Sequence, residues 1–294
     1  MLTILVVIAR IVSNPLSNVF QKQLAQRSVE PLLIIAVTHG LLTVVALPLL
    51  LTLPFGLLGV DFWTNLLTAV LLAVAGNVTL VYALRSADLS VLGPINAYKA
   101  VLSLILAAVL IGEVPSLLGL GGVSLIVAGS LLVIDRVAGE TRGVAVRQFM
   151  REPGVQLRVA ALICSATEAV FLKRALLLSS PLTTFLLWAV LGLPVAGTAV
   201  VVLRGGIAAG RSSLRREWRT CVWLAATTGL MQLTTLLTFA TLQVGYSLAL
   251  FQLSTLLTVY LGHRYFQERN LRRRLLGSLV MVIGAILIVT FGRG

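Results

Sequence analysis

The sequence predicts an all-α polytopic membrane protein of about ten transmembrane helices, arranged as two inverted five-helix repeats. Three observations carry this expectation. The 294 residues are 58% hydrophobic and 11% charged, against roughly 25% charged in a soluble domain, and mean hydropathy is +1.02. Apolar runs of the roughly 20 residues that cross a bilayer recur along the whole chain. Two stretches of the first half also return in the second with their spacing kept.

Taken in order, span 1 is expected over residues 2–26. It lacks the form of a cleavable signal, since no basic segment precedes it and Arg10 interrupts it. Spans 2 and 3 are expected over 31–53 and 63–84, and runs such as VALPLLLTLP lack the alternation of a membrane strand. Span 4, 89–112, carries Lys99 near its middle, and span 5 covers 115–135. Spans 6 to 10 fall at 156–178, 181–203, 220–242, 245–263 and 274–292. The division is therefore a first repeat over 1–135, a basic linker over 136–155 and a second repeat over 156–294.

The repeat is read from two matches. NVFQKQLAQRSVEPL (18–32) returns as AVFLKRALLLSSPL (169–182), keeping Val-Phe-x-Lys and, after one gap, Pro-Leu. GEVPSLLGLGGVSLIVAG places Glu113, Gly122 and Gly129 at intervals of nine and seven, and QERNLRRRLLGSLVMVIG places Glu268, Gly277 and Gly284 at the same intervals. Five spans per repeat is an odd number, so the second half enters the bilayer inverted, an arrangement that puts a substrate site at the repeat interface.

The net charge of +13 is spread over short loops and forms no nucleic-acid-binding module. It bears on topology instead. Seventeen arginines are assigned to the loops after spans 1, 3, 5, 7 and 9, Arg158 and Arg274 among them, against Lys173, Arg174 and Arg293 on the other side. Basic loops stay in the cytoplasm, so both termini are expected outside. Cys164 and Cys221 have no metal or disulfide spacing.

Two five-helix halves, each closing its fourth helix on a Glu (LIGE at 110–113, YFQE at 265–268) before a Gly-spaced fifth helix, resemble the drug/metabolite transporter superfamily, specifically its EamA-type members. The resemblance covers essentially the whole chain. It implies a central cavity lined by the first four helices of each half, with the fifth and tenth outside, and transport of small metabolites, amino acids among them. Distant members imply nucleotide-sugars or lipid-linked sugars. The outward termini depart from the family, whose members have both termini in the cytoplasm.

Charged groups inside spans cost roughly 3 kcal/mol on insertion scales and tend to face a cavity or a partner. Lys99 in span 4 and Glu168 in span 6 lie near a midplane. Lys99 is about ten residues from either end of its span, beyond comfortable snorkelling reach; for Glu168 the competing reading is a protonated carboxyl bonded to a neighbouring helix. Neither is repeated in the other half, since Ser254 stands opposite Lys99 and Ser17 opposite Glu168. Arg10, Asn14, Asn18 and Gln21 share one helical face of span 1, around Pro15, which frees a backbone carbonyl; interhelical hydrogen bonding is the alternative role. Asn96, Asn77, Gln232, Thr235, Tyr246 and Gln252 complete the candidate lining. The repeated Lys22 and Lys173 are read as structural, near span ends where a cation compensates the helix dipole and reaches headgroups. Glu113 and Glu268 are read as structural first and gating second.

The expected function is secondary transport, by export, of a small polar metabolite such as an amino acid, through alternating access between the repeats. Lys99 would take a carboxylate, and Glu168 an amine or a coupling proton. The alternative is a flippase for a phosphate-linked lipid or lipid-linked sugar, with Lys99, Arg10 and Lys22 on the headgroup. An enzyme is not expected, for want of a metal-binding carboxylate cluster, an HExxH motif or a Ser/His/Asp arrangement. No cofactor, metal or nucleic acid is expected. The expected partners are the substrate and membrane lipids, the assembly a monomer or homodimer, and the location the bacterial cytoplasmic (inner) membrane.

Overall fold

The computed structural model describes residues 2–50, 58–99, 101–102, 116–133, 142–204, 211–242 and 244–291. Among these the chain is all-helical: α1 (Leu2–Gln26), α2 (Pro31–Leu50), α3 (Val60–Ser86), α4 (Leu89–Ile95), α5 (Leu117–Val133), α6 (Arg142–Arg151), α7 (Pro153–Leu177), α8 (Pro181–Arg204), α9 (Arg211–Arg216), α10 (Trp218–Thr241), α11 (Val244–Phe251), α12 (Ser254–Phe266) and α13 (Leu271–Phe291). Six of them, α1, α2, α3, α7, α8 and α10, are long and apolar enough to cross a membrane, and α5 is a shorter apolar helix. The chain is an integral membrane protein of the all-α kind that composition predicts.

The helices pack chiefly across the two halves. α1 lies against α10, α3 against α7, α2 against α8, α4 against α12 and α5 against α13. Counted as ten spans, the pairs are 1 with 8, 3 with 6, 2 with 7, 4 with 9 and 5 with 10. Exchanging first-half for second-half spans returns the same set. The α5–α13 pair shows why the glycine spacing recurs. A Cβ on Gly122 would sit 2.6 Å from the Gly284 carbonyl oxygen, and one on Gly129 would sit 2.6 Å from that of Gly277. The reverse approaches are equally close, at 2.7 Å from Gly277 to Gly129 and 2.6 Å from Gly284 to Gly122. Backbones touch there, and van der Waals contact between helices replaces the hydrophobic drive that lipid does not supply.

Two expected spans are not continuous helices. Span 4 ends its first helix at Ile95, because Pro94 has no N–H to donate, and the chain tightens into i to i−3 bonds from Asn96 to Gly93 (3.0 Å), Ala97 to Pro94 (2.9 Å) and Lys99 to Asn96 (3.1 Å). Span 9 breaks between α11 and α12, with the same bond type from Leu253, Thr255 and Leu256. No proline is involved there; the Ser254 hydroxyl donates to the Phe251 carbonyl at 2.6 Å, a local bond that competes with the helix ladder. α1, by contrast, runs unbroken through Pro15.

Two residues counted among the loop arginines are buried instead. Arg158 lies within α7, which starts at Pro153, and Arg274 lies within α13; both are buried. Without them fifteen of the seventeen remain, so the asymmetry behind the topology expectation persists. Within the stretch read as linker, 142–151 form α6. Arg27, just after α1, pairs with Glu217 before α10, and Arg274 with Asp88 after α3 at 2.9 Å. These pairs put the arginine-rich ends of the helices at one end of the bundle.

Candidate functional site

A cavity of about 120 Å³ opens where α1, α3, α7, α8, α10 and the broken span 4 converge. One face of α1 supplies Arg10, Asn14, Ser17, Asn18 and Gln21, as steps of three and four dictate. α3 adds Asn77, the turn after α4 adds Asn96 and Lys99, and α10 adds Gln232 and Thr235. α7 contributes Arg158, Ser165 and Glu168, and aromatic walls come from Trp188, Phe239 and Phe251.

Most polar side chains on this wall meet a neighbour from another element. The Arg10 Nε donates to the Thr235 hydroxyl at 2.6 Å, and its guanidinium lies 4.6 Å from the centroid of Phe251. That stacking lets a planar cation sit in an apolar setting. Asn14 donates to Ser254 at 3.2 Å, which links α1 to the start of α12. Gln232 reaches Glu168 at 3.5 Å, and Gln21 reaches Asn77 at 3.5 Å. Ser17 and Thr228 share a bond of 2.9 Å between α1 and α10.

Arg158 holds the broken helix in place. In a continuous helix the Leu92 carbonyl would accept from the Asn96 N–H, but that N–H has turned to Gly93. Arg158 takes over the freed acceptor with its Nε at 3.0 Å and donates through Nη2 to the Asn96 side-chain oxygen at 3.1 Å. Non-helical backbone at membrane depth requires such internal satisfaction. Lys99 follows three residues after Asn96, so the break also sets where its ammonium is presented.

Beyond Gln21, toward the arginine-rich end, lies a buried ion network. Glu268, after α12, accepts from Lys22 Nζ at 2.8 Å and from the backbone N–H groups of Leu89 and Ser90, both at 2.7 Å. Lys22 also donates to the Ala87 carbonyl at 3.0 Å. Arg274 approaches Glu268 at 3.8 Å and bonds Asp88 and Ser90. Gly262 leaves room for this carboxylate, since a Cβ there would meet Glu268 Oε2 at 2.5 Å. Burial pushes the Glu268 carboxyl up, but the Lys22 charge and the Lys22 and Ser90 hydrogen bonds outweigh it and hold the group below its ordinary value. The Glu carboxylate thus caps the N-terminus of α4, where the helix dipole favours negative charge.

Of the ten residues expected to bind substrate, eight line the cavity: Lys99, Glu168, Asn14, Asn18, Asn96, Asn77, Gln232 and Arg10. Gln252 is buried in the turn between α11 and α12, outside the lining. The Tyr246 side chain lies outside the described residues, as does Glu113. Lys22 does not reach headgroups as expected, because it is buried against Glu268 with its side chain 4% exposed. Lys173, its repeat counterpart, is half-buried and donates to the Phe239 carbonyl. Pro15 is buried within α1. Sequence reasoning missed Arg158, Ser165 and Trp188. The spacing 158, 165, 168 on one face of α7 is the signal that could have found the first two.

Residues 1–135 match the EamA-like transporter family. No curated protein matches the chain. A solved structure titled "Crystal structure of protein" is similar at 15% identity, covering 97% of this chain and 95% of that one with a TM-score of 0.63, a likeness of fold across both halves.

Proposed function

We propose, from the match of residues 1–135 to the EamA-like transporter family, that the chain is an EamA-type transporter and exports a small polar metabolite, an amino acid being the type, by alternating access between two inverted five-helix repeats. The observation that carries the reading is the cavity itself. Among the described residues its wall mixes cations, one carboxylate, amides and aromatic rings contributed by both halves. Lys99 takes the substrate carboxylate, and Glu168 takes the amine or carries a coupling proton. The unchanged helix pairing on exchange of halves supports a repeat division over 1–135 and 156–294, and an alternate state in which the same contacts form with the halves interchanged. In the present state the Lys22–Glu268 network closes the arginine-rich end.

The cavity volume of about 120 Å³ favours a small solute over a lipid-linked sugar, being well below the roughly 300–1,000 Å³ of sites for drug-sized ligands. Counterflow in proteoliposomes, with a panel of amino acids and lipid-linked sugars and with or without a pH gradient, tests the reading. Exchange of amino acids accelerated by the gradient is expected. Movement of the lipid-linked sugars alone would replace it with the flippase reading. The remaining loop arginines support a topology with both termini outside the cytoplasm. A periplasm-active reporter fused after Gly294 should give signal, and signal from a cytoplasmic reporter alone would reverse the orientation.

A further inference from the structure

The cavity wall carries more positive than negative charge. Arg10, Lys99 and Arg158 face a single carboxylate, Glu168, among the described lining residues. The excess survives even without Lys99, because guanidinium groups stay protonated at any physiological pH. Neither arginine is neutralised by its direct partners. Arg10 donates to a hydroxyl and stacks on Phe251, while Arg158 donates to the Leu92 carbonyl and the Asn96 amide oxygen. These contacts satisfy hydrogen bonds and leave the charge. The buried cations outside the cavity differ: Lys22 and Arg274 sit against Glu268 and Asp88.

Three buried polar atoms on the same wall have no hydrogen-bond partner among the described residues. They are the donors Arg10 Nη1 and Trp188 Nε1 and the acceptor Gln21 Oε1. Leaving a buried polar atom unpaired costs about 1–3 kcal/mol, so a site with two orphan donors is built for an acceptor-rich ligand. Counting the two guanidinium groups alone against Glu168, a solute of net negative charge brings the wall to balance. A neutral zwitterion would leave the excess in a medium where uncompensated charge is costly.

We propose that this cavity selects small organic solutes of net negative charge, carrying two carboxylates or one phosphate, with Arg10 and Arg158 as the recognising groups. In an acidic amino acid the ammonium then falls to Glu168. The inference rests on the transport reading above and narrows its substrate class.

The test is a thermal-shift and counterflow-competition panel on the full-length wild-type protein, using glutamate, succinate, glycerol 3-phosphate, leucine and lysine. At least one of the three diacidic solutes is expected to stabilise the protein and compete at concentrations at least about tenfold lower than leucine or lysine, the worth of one charge-assisted contact. Which one acts best tells carboxylates from phosphate. Arg158→Gln and Arg10→Gln should each narrow that gap; if either fails to fold, the wild-type panel still decides. Leucine or lysine acting as well as every diacid overturns the charge inference and leaves the transport reading standing. Absence of binding and exchange for every solute overturns both.

Discussion

Replacing Glu268 by Gln removes a charge from the most tightly knit cluster in the molecule. Four groups from the first half and from α13 lean on that carboxylate: Lys22 at 2.8 Å, the Leu89 and Ser90 N–H groups at 2.7 Å, and Arg274 at 3.8 Å. The two side chains of the central pair are only 4% and 3% exposed. Breaking a buried ion pair from one side costs about 3–5 kcal/mol, chiefly because the abandoned charge stays buried. Glu268→Gln keeps one acceptor oxygen, so the low end, about 3 kcal/mol, is expected. Lys22→Met leaves Glu268 its two backbone donors and Arg274, and should cost less, about 2 kcal/mol. The double variant no longer buries an unpaired lysine, so its loss should fall short of the sum by about 2 kcal/mol. Equilibrium unfolding in mixed detergent micelles, followed by the fluorescence of the four tryptophans, gives all three values. Additivity within about 0.5 kcal/mol would refute the pairing as an energetic unit.

The same carboxylate predicts a pH dependence. Because its folded pKa lies below the ordinary 4.5, the stability it adds is complete above that value and drains away as pH falls through the lowered one; acid unfolding curves below about pH 4.5 should therefore be shallower for Glu268→Gln than for wild type, and parallel curves would contradict this. Gly129→Ala puts a Cβ 2.6 Å from the Gly277 carbonyl and 2.6 Å from Met281, where α5 and α13 must separate. A loss of about 1–3 kcal/mol is expected by the same unfolding assay, whereas Gly121→Ala, with nothing within 4 Å of its Cβ, should be neutral or slightly stabilising.

How much of this was legible beforehand differs by residue. Apolar runs and repeated glycines are one-dimensional signals, so the all-α membrane fold and the α5–α13 contact follow from spacing. The polar face of α1 is equally readable, because 10, 14, 17, 18 and 21 obey helical periodicity whatever packs against them. The break after Ile95 was half-visible in Gly93-Pro94, but its counterpart at Gln252 arises from a serine hydroxyl taking a carbonyl, which composition does not mark. Arg158 and Arg274 were misplaced because a charge near a span end looks the same whether it points to water or inward. Only the groups they meet, a freed carbonyl in one case and Asp88 with Glu268 in the other, distinguish the two. For the same reason the sequence shows Lys22 only as a cation near a span end, able to compensate the helix dipole and reach headgroups, since its partner lies 246 residues away.

The most direct test of the central claim, that the polar cavity is the transport site, is counterflow by Lys99→Ala in proteoliposomes with the solute that wild type exchanges fastest. The account predicts that exchange is abolished while the purified variant keeps its monodisperse elution and its unfolding midpoint. Exchange at the wild-type rate would contradict it.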